Sequence, residues 1–579
     1  VNRTPSRFTG IAITAALLVA AGVMYRGCLS TPASAPAATA PVRGGQLVAS
    51  TRGVARSFNR LLAGDQPSDM FGLLTQGTLV RINRATFELE PWLAERWEST
   101  EDGRTHTMHL RQGVKWSDGT PFTSADVVFT FQALYDPRSE SVLASTVLPG
   151  RQPIHAAAPD PSTVVLTFAK ASGPGISLLD MIPILPKHKL EASLKGGTFA
   201  KAWDPNTAPS EIVGTGPFVL REYRPGERLV FDRNPHYWRK APDGQPLPYL
   251  DRLVLEIVPE QNAELLRLQG GATDFTQSEL RPDDYVPVRR AEEDGKLTMI
   301  ELGVGPDADG FWFCLKPEIK RKDPRFGFVQ RREFRQAISH AVDREDFAQT
   351  VFLGEAVPVW GPITPGNRPW FSPNVPRYPP DLKRARELLA GIGLEDRNGN
   401  GVVENMAGAE ARFTVITQAG IGHYERGTTV LREQAAKIGV ALDIAPLEYS
   451  TLIERLLSCN YDAIYFRPAF TQVDPAGNLD FWLSSGSTHF WNMSQKMPAT
   501  EWEQRIDTLM LEQAATLDLQ RRHDLFNDVQ RILAENVPVL YFVAPRLYYA
   551  HSRRLTGVVP SVMRPPVLWN VDSLSVTGP

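Results

Sequence analysis

Within residues 105–137 the hydrophobic period of the chain changes across a single turn, and this switch limits the fold more than any other stretch. THTMHLRQGVKW alternates as a strand does, with a break at Gln112–Gly113. SDGTPF follows, and Asp118–Gly119 supplies a turn. Thr123 then precedes SADVVFTFQALYDP, in which Val127, Val128, Phe131 and Leu134 fall on roughly one helical face. Thr123 is placed to cap the helix, with Asp126 beside its positive end. The helix is expected to stop before Asp136–Pro137, because the residue ahead of a proline avoids the helical region.

Other stretches extend this mixed pattern. FVLREY and RLVFDR flank Pro225–Gly226 and read as a β-hairpin, entered through Gly214 and Gly216. In residues 331–356, Phe334, Ala337, Ile338 and Ala341 recur at helical spacing, and Asp343 starts a second helix ending near Gly354. Residues 380–393 predict another helix and 411–418 an alternating strand. Residues 502–534 predict two helices joined around Leu517–Asp518, and VPVLYFV (537–543) a buried strand. The 579 residues call for several domains. No internal repeat is visible.

The first 43 residues read differently. Arg3 and Arg7 precede the apolar run IAITAALLVAAGVM, the layout of an export signal. STPASAPAATAPVR then reads as a tether rather than as core. Cys28 is a lipidation candidate, although Tyr25 and Arg26 depart from a lipoprotein signal; an uncleaved anchor and cleavage near Ala35–Ala37 remain alternatives. Each option places the body in the periplasm or on the outer face of the cytoplasmic membrane. Net charge is −3, from 62 basic and 65 acidic residues, which argues against nucleic acid as a partner. Three cysteines without a C-x-x-C exclude a zinc ribbon. Cys314 and Cys459 could pair, but two separate buried thiols is the preferred reading.

LRQGVKWSDGTPFTSADVVFTF, GTGPFVLREYRPGERLVFDRNPHYW and FRQAISHAVDRE, in that order, resemble the signature stretches of solute-binding protein family 5, the peptide, nickel and oligosaccharide receptors of ABC importers. The resemblance implies an α/β, two-lobed periplasmic-binding-protein fold, type II in its large three-domain form, with a hinge between the lobes. It implies a discontinuous first-lobe domain (44–80, 205–305 and 544–579), an inserted small domain (81–204) and a second-lobe domain (306–543). It further implies a monomer with no cofactor that captures a peptide-like or other small polar solute for a membrane permease and its ATPase. A tethered sensor with the same fold is the alternative function. Catalytic motifs such as G-x-S-x-G, H-E-x-x-H or a Walker loop are absent from the sequence, so an enzyme is not expected.

The resemblance also points to YDAIYFRPAFTQVDP (461–475) as a strand entering the ligand cleft. In peptide-binding relatives an aspartate nine residues past a Tyr-Asp-like pair grips the peptide ammonium. Counted from Asp462, that position is Thr471, and a hydroxyl cannot neutralise an ammonium. The ammonium anchor is therefore expected to be missing; the alternative is a small register shift that brings Asp474 or Asp480 into that role. Tyr465, Arg467, Phe470 and Trp482 are further ligand candidates, joined by Gly64 and Asp65 from the first lobe and by Trp360 between two prolines. His423 and His489 are isolated and read as structural. Asp396, Asn398, Asn400 and Gly401 spell the opening of a calcium loop, with Glu404 at its ninth position. The twelfth position is Ala407 instead of a glutamate, so the stretch reads first as a tight connection and only weakly as a calcium site; no other metal site is expected.

Overall fold

A computed structural model describes residues 41–144, 146–148, 152–468 and 472–578. The apolar N-terminal run, Cys28, Phe470 and Thr471 lie outside them. No helix among the described residues is long and apolar enough to cross a membrane.

The fold is α/β with two lobes. One core collects Leu47 to Phe275 together with Leu555–Val576, and the other collects Ala308 to Ala544. In the first, Gln46–Thr51 pairs in parallel with Arg252–Ile257, which continues antiparallel into the hairpin Arg228–Arg233 and Phe218–Arg224. A second antiparallel sheet orders Ala94–Ser99, Thr105–Leu110, Thr163–Thr167 and His155–Asp160. The helix Ser124–Tyr135 stops where Pro137 requires, and the Asp126 carboxylate accepts the Thr123 backbone N–H at 2.9 Å.

The other core is built on a five-stranded sheet ordered Ala441–Leu447, Arg412–Gln418, Ala463–Phe466, Gly310–Phe313 and Leu540–Tyr541. Its first three strands run parallel. Parallel neighbours need crossovers, and the helices Gly422–Ala436 and Tyr449–Ser458 supply them. Cys314, just past the strand Gly310–Phe313, forms a disulfide with Cys459, the C-cap of the second crossover helix. The expectation of two separate thiols is therefore corrected: strand end and helix end lie side by side, with Cα atoms 5.8 Å apart, a spacing suited to a bond.

VPVLYFV does not form one strand. Leu540–Tyr541 joins the five-stranded sheet, Phe542 donates to the Asp309 carbonyl, and Val543–Ser552 then pairs with Leu297–Val304 and Ala356–Pro358. The chain switches sheets at Phe542 while remaining buried, and a continuous apolar run cannot signal such a change.

Gly214 and Gly216 lie directly on the C-terminal end of the helix Gln66–Thr75. A Cβ on Gly214 would sit 1.7 Å from the Thr75 carbonyl oxygen, and one on Gly216 2.5 Å from the Thr75 carbonyl carbon. Glycine is required here by close approach of two backbones.

Candidate binding cleft

A cavity of about 450 Å³ opens between residues of the two cores, within the size range of small-ligand sites. One wall starts with the helix Gln66–Thr75. Asp65 is its N-cap, accepting the Ser68 N–H at 3.1 Å and the Ser68 hydroxyl at 2.9 Å. Asp65 thus positions the wall, while Gly64, Met70, Leu73 and Gln76 line the cavity.

Aromatic rings carry the rest of this wall. The Arg81 guanidinium lies over Trp92 at 3.8 Å and over Trp569 at 5.4 Å, and its charge is held by Glu90. Arg239 also lies over Trp92 and pairs with buried Asp572, which accepts the Tyr237 hydroxyl at 2.7 Å. Burial and the Asp572 charge push Tyr237 well above the ordinary phenol range, so it stays a neutral donor. Trp92, Tyr237, Trp569 and Asp572 all face the cavity.

Charges on this wall are mostly matched. Arg60 holds Asp69, Arg81 holds Glu90, and Arg564 holds Glu279 at 3.2 Å. Arg84 lines the same cavity, and no carboxylate lies within ion-pair distance of it among the described residues. Burial raises Asp69 and Asp180; Arg60 and, less, Arg84 offset this at Asp69, and the Arg84 charge offsets it at Asp180.

The opposite wall rests on the strand Ala463–Phe466. Arg467 follows it and lines the cavity. Its Nε donates to Asp309 at 2.7 Å, and Asp309 also accepts the Tyr465 hydroxyl. The Asp309 side chain is fully buried. Burial works against the Arg467 charge, but Asp309 outweighs it and holds the guanidinium above its ordinary range. Trp482 also reaches the cavity while its indole donates to the Pro475 carbonyl at 3.0 Å.

Gly64, Arg467 and Trp482 therefore meet at one cavity. Four other candidates do not line it. Tyr465 is fully buried and serves Asp309 rather than offering stacking surface, because its strand sits between two neighbours. Asp65 is spent as a helix cap. Asp474 caps the turn Pro475–Asn478 and pairs with Arg522 at 2.6 Å. Trp360 lies between the guanidinium groups of Arg344 and Arg377, outside the cavity. Phe470 and Thr471 fall outside the described residues, next to the cavity-lining Gln472 and Val473. His423 is half-buried, and desolvation pushes its pKa down to about 4. His489 sits in the core against Glu503. Trp92, Trp569, Arg84 and Asp309 carry no mark in the sequence. They stand alone in irregular or short segments, where no period or spacing marks them.

The rims of the cleft touch. The Gly173 N–H donates to the Ala514 carbonyl at 2.7 Å, Leu517 packs on Gly103, and Arg368 donates to the Ala85 carbonyl at 2.6 Å. A Cβ on Gly173 would lie 2.5 Å from Arg522 Nε and 2.8 Å from the carbonyls of Gln513 and Thr516. Gly173→Val is therefore expected to separate the rims and shift the population toward open molecules. Small-angle scattering should read this as an increased radius of gyration; an unchanged radius would mean that the rim accommodates the side chain.

Comparison with known proteins agrees with this architecture. The profile of the bacterial extracellular solute-binding proteins, family 5 Middle, matches residues 88–490. A probable ABC transporter-binding protein of Deinococcus radiodurans is 27% identical over 531 residues, covering 87% of each chain. Two solved structures share the fold. The oligopeptide-binding protein AppA of Bacillus subtilis, in complex with a nonapeptide, has a TM-score of 0.70 at 23% identity, covering 93% of this chain and 100% of that one. The periplasmic binding protein MelB of Agrobacterium fabrum, in complex with stachyose, has a TM-score of 0.72 at 22% identity, covering 93% and 85%. The chain belongs to the family 5 extracellular solute-binding proteins, which are extracytoplasmic binding receptors rather than enzymes.

Proposed function

We propose that this family 5 solute-binding protein captures a peptide-like or other small polar solute in the cavity between its lobes and delivers it to the permease of an ABC importer. The observation that carries the reading is the cavity lining: rings from Trp92, Tyr237 and Trp569 beside Arg84, the one lining arginine without a carboxylate partner among the described residues. Rings supply stacking area for a sugar, a side chain or a peptide plane. An arginine fork suits a carboxylate on the ligand. The relatives bound to a nonapeptide and to stachyose span the two chemistries that such a lining serves.

The lobes are assigned as 44–80, 205–305 and 544–579 with the insertion 81–204, against 306–543. Residues 1–43 act as export signal and tether, with Cys28 as the candidate lipid-bearing residue. Phe470 and Thr471 are kept as ligand candidates on the family resemblance, and a hydroxyl at 471 disfavours a ligand held by a free ammonium.

A thermal-shift screen with free peptides, blocked peptides, opines and oligosaccharides tests the reading. A ligand at 100 times its Kd should stabilise the protein by about 2.7 kcal/mol. Arg84→Gln should then weaken an acidic ligand by about tenfold or more, the worth of a hydrogen bond to a charged group. Binding that is indifferent to both Arg84→Gln and Trp92→Ala would place the ligand elsewhere. A shift confined to free-amine peptides would overturn the argument from Thr471.

A further inference from the structure

The connection from the helix Leu382–Gly391 to the strand Arg412–Gln418 carries Asp396, Asn398, Asn400 and Glu404. None of the four lines the cavity. Asp396 gathers the start of the loop, accepting the N–H groups of Gly399 at 2.8 Å, Asn400 at 3.1 Å and Gly401 at 2.9 Å. The side-chain oxygens of Asn398 and Asn400 accept the N–H groups of Asn400 and Val402. By themselves these contacts describe only a tight turn.

Glu404 adds an independent observation. It is 5% exposed, and its backbone exchanges both hydrogen bonds with Glu395, which fixes the two ends of the loop together. One carboxylate oxygen, Oε1, accepts the Arg397 N–H at 2.9 Å, so the carboxylate is turned into the loop. The other, Oε2, is buried and has no hydrogen-bond donor. The nearby Arg397 guanidinium does not serve it; it donates to the carbonyls of Glu404 and Gly393 and to Glu395. A buried carboxylate oxygen without a donor is costly unless a cation meets it.

We infer that residues 396–404 form a calcium site in the second lobe, with Asp396, Asn398, Asn400 and Glu404 as side-chain ligands. All four offer hard oxygen, and their spacing is that of positions one, three, five and nine of a calcium loop. Two carboxylates and two neutral amides favour calcium over metals that need nitrogen or sulfur. With Ala407 at the twelfth position in place of a bidentate glutamate, the affinity belongs in the range of extracellular modules, about 0.1–1 mM.

Calorimetric titration of the full chain with calcium chloride, after chelator treatment, tests this. The expected result is one saturable binding event per chain in that range, weakened at least tenfold in Glu404→Gln. Glu404→Gln keeps the shape of the side chain, and an unchanged far-ultraviolet spectrum reports its fold. A rise in the melting temperature of the unsubstituted protein with added calcium, reversed by chelator and larger than with equal magnesium, is the second expected result and needs no variant. Absence of saturable binding up to about 10 mM calcium, well above the affinity range of such loops, overturns the inference. Binding that Glu404→Gln leaves intact overturns it equally.

Discussion

Replacing both Cys314 and Cys459 with alanine is expected to cost about 3–5 kcal/mol of stability, because the bond closes a loop across a sequence separation of 145 residues. Chain-entropy theory puts the upper end near 5 kcal/mol for a loop of that length, and measured values usually fall below theory. The loss should be confined to the core that runs from Ala308 to Ala544, since both sulfurs pack there. Denaturant unfolding followed by tryptophan fluorescence would therefore broaden or split, with the earlier phase reporting Trp312 and Trp491, both buried in that core. Treatment of the unsubstituted protein with reductant should reproduce the effect. A variant that melts with the parent would mean that the two thiols make no stabilising bond. An oxidising compartment is required for such a cross-link, in keeping with the extracytoplasmic location of the family.

Asp309→Ala is expected to be comparably damaging, by about 3–5 kcal/mol, the usual cost of stranding one partner of a buried ion pair. Arg467 would lose its carboxylate while only 16% of its side chain is exposed, and Tyr465 would lose its acceptor. The consequence reaches the cleft directly, since Arg467 lines it. Asp309→Asn should be milder for folding, yet it should still release Arg467, so ligand affinity should change even where the melting temperature recovers. Tyr465→Phe removes one hydrogen bond and should cost only about 1 kcal/mol. If Asp309→Ala and Tyr465→Phe prove equally mild, the triad is not the support of this wall.

Local architecture was legible in the sequence wherever one segment carried its own signals. The capped helix before Pro137, the hairpin around Pro225–Gly226 and the helix pair split at Asp343 form where residue pattern places them. What the pattern could not give was partnership over distance. Asp309 sits in PDADG, which reads as an ordinary turn, and its partner Arg467 is 158 residues away. Asp474 is an acid beside a proline in the stretch expected to face the ligand, yet Arg522 claims it from a distant helix. VPVLYFV is apolar throughout because it is buried in both sheets it visits, and burial carries no information about which sheet. Trp92 and Trp569 became site candidates only because separate chain segments converge on one cavity.

The contact of Gly214 and Gly216 with the helix Gln66–Thr75 bears on any attempt to retool this protein as a sensor. With backbone resting on backbone at Thr75, the C-terminal end of the helix is held tightly against the segment that carries the two glycines. Diversity introduced at Met70, Leu73 or Gln76 would reshape the cavity wall while leaving that backbone contact in place. Any side chain added at 214 or 216 would push on the Thr75 end of that helix and shift the wall it builds, leaving the reporter without a stable zero.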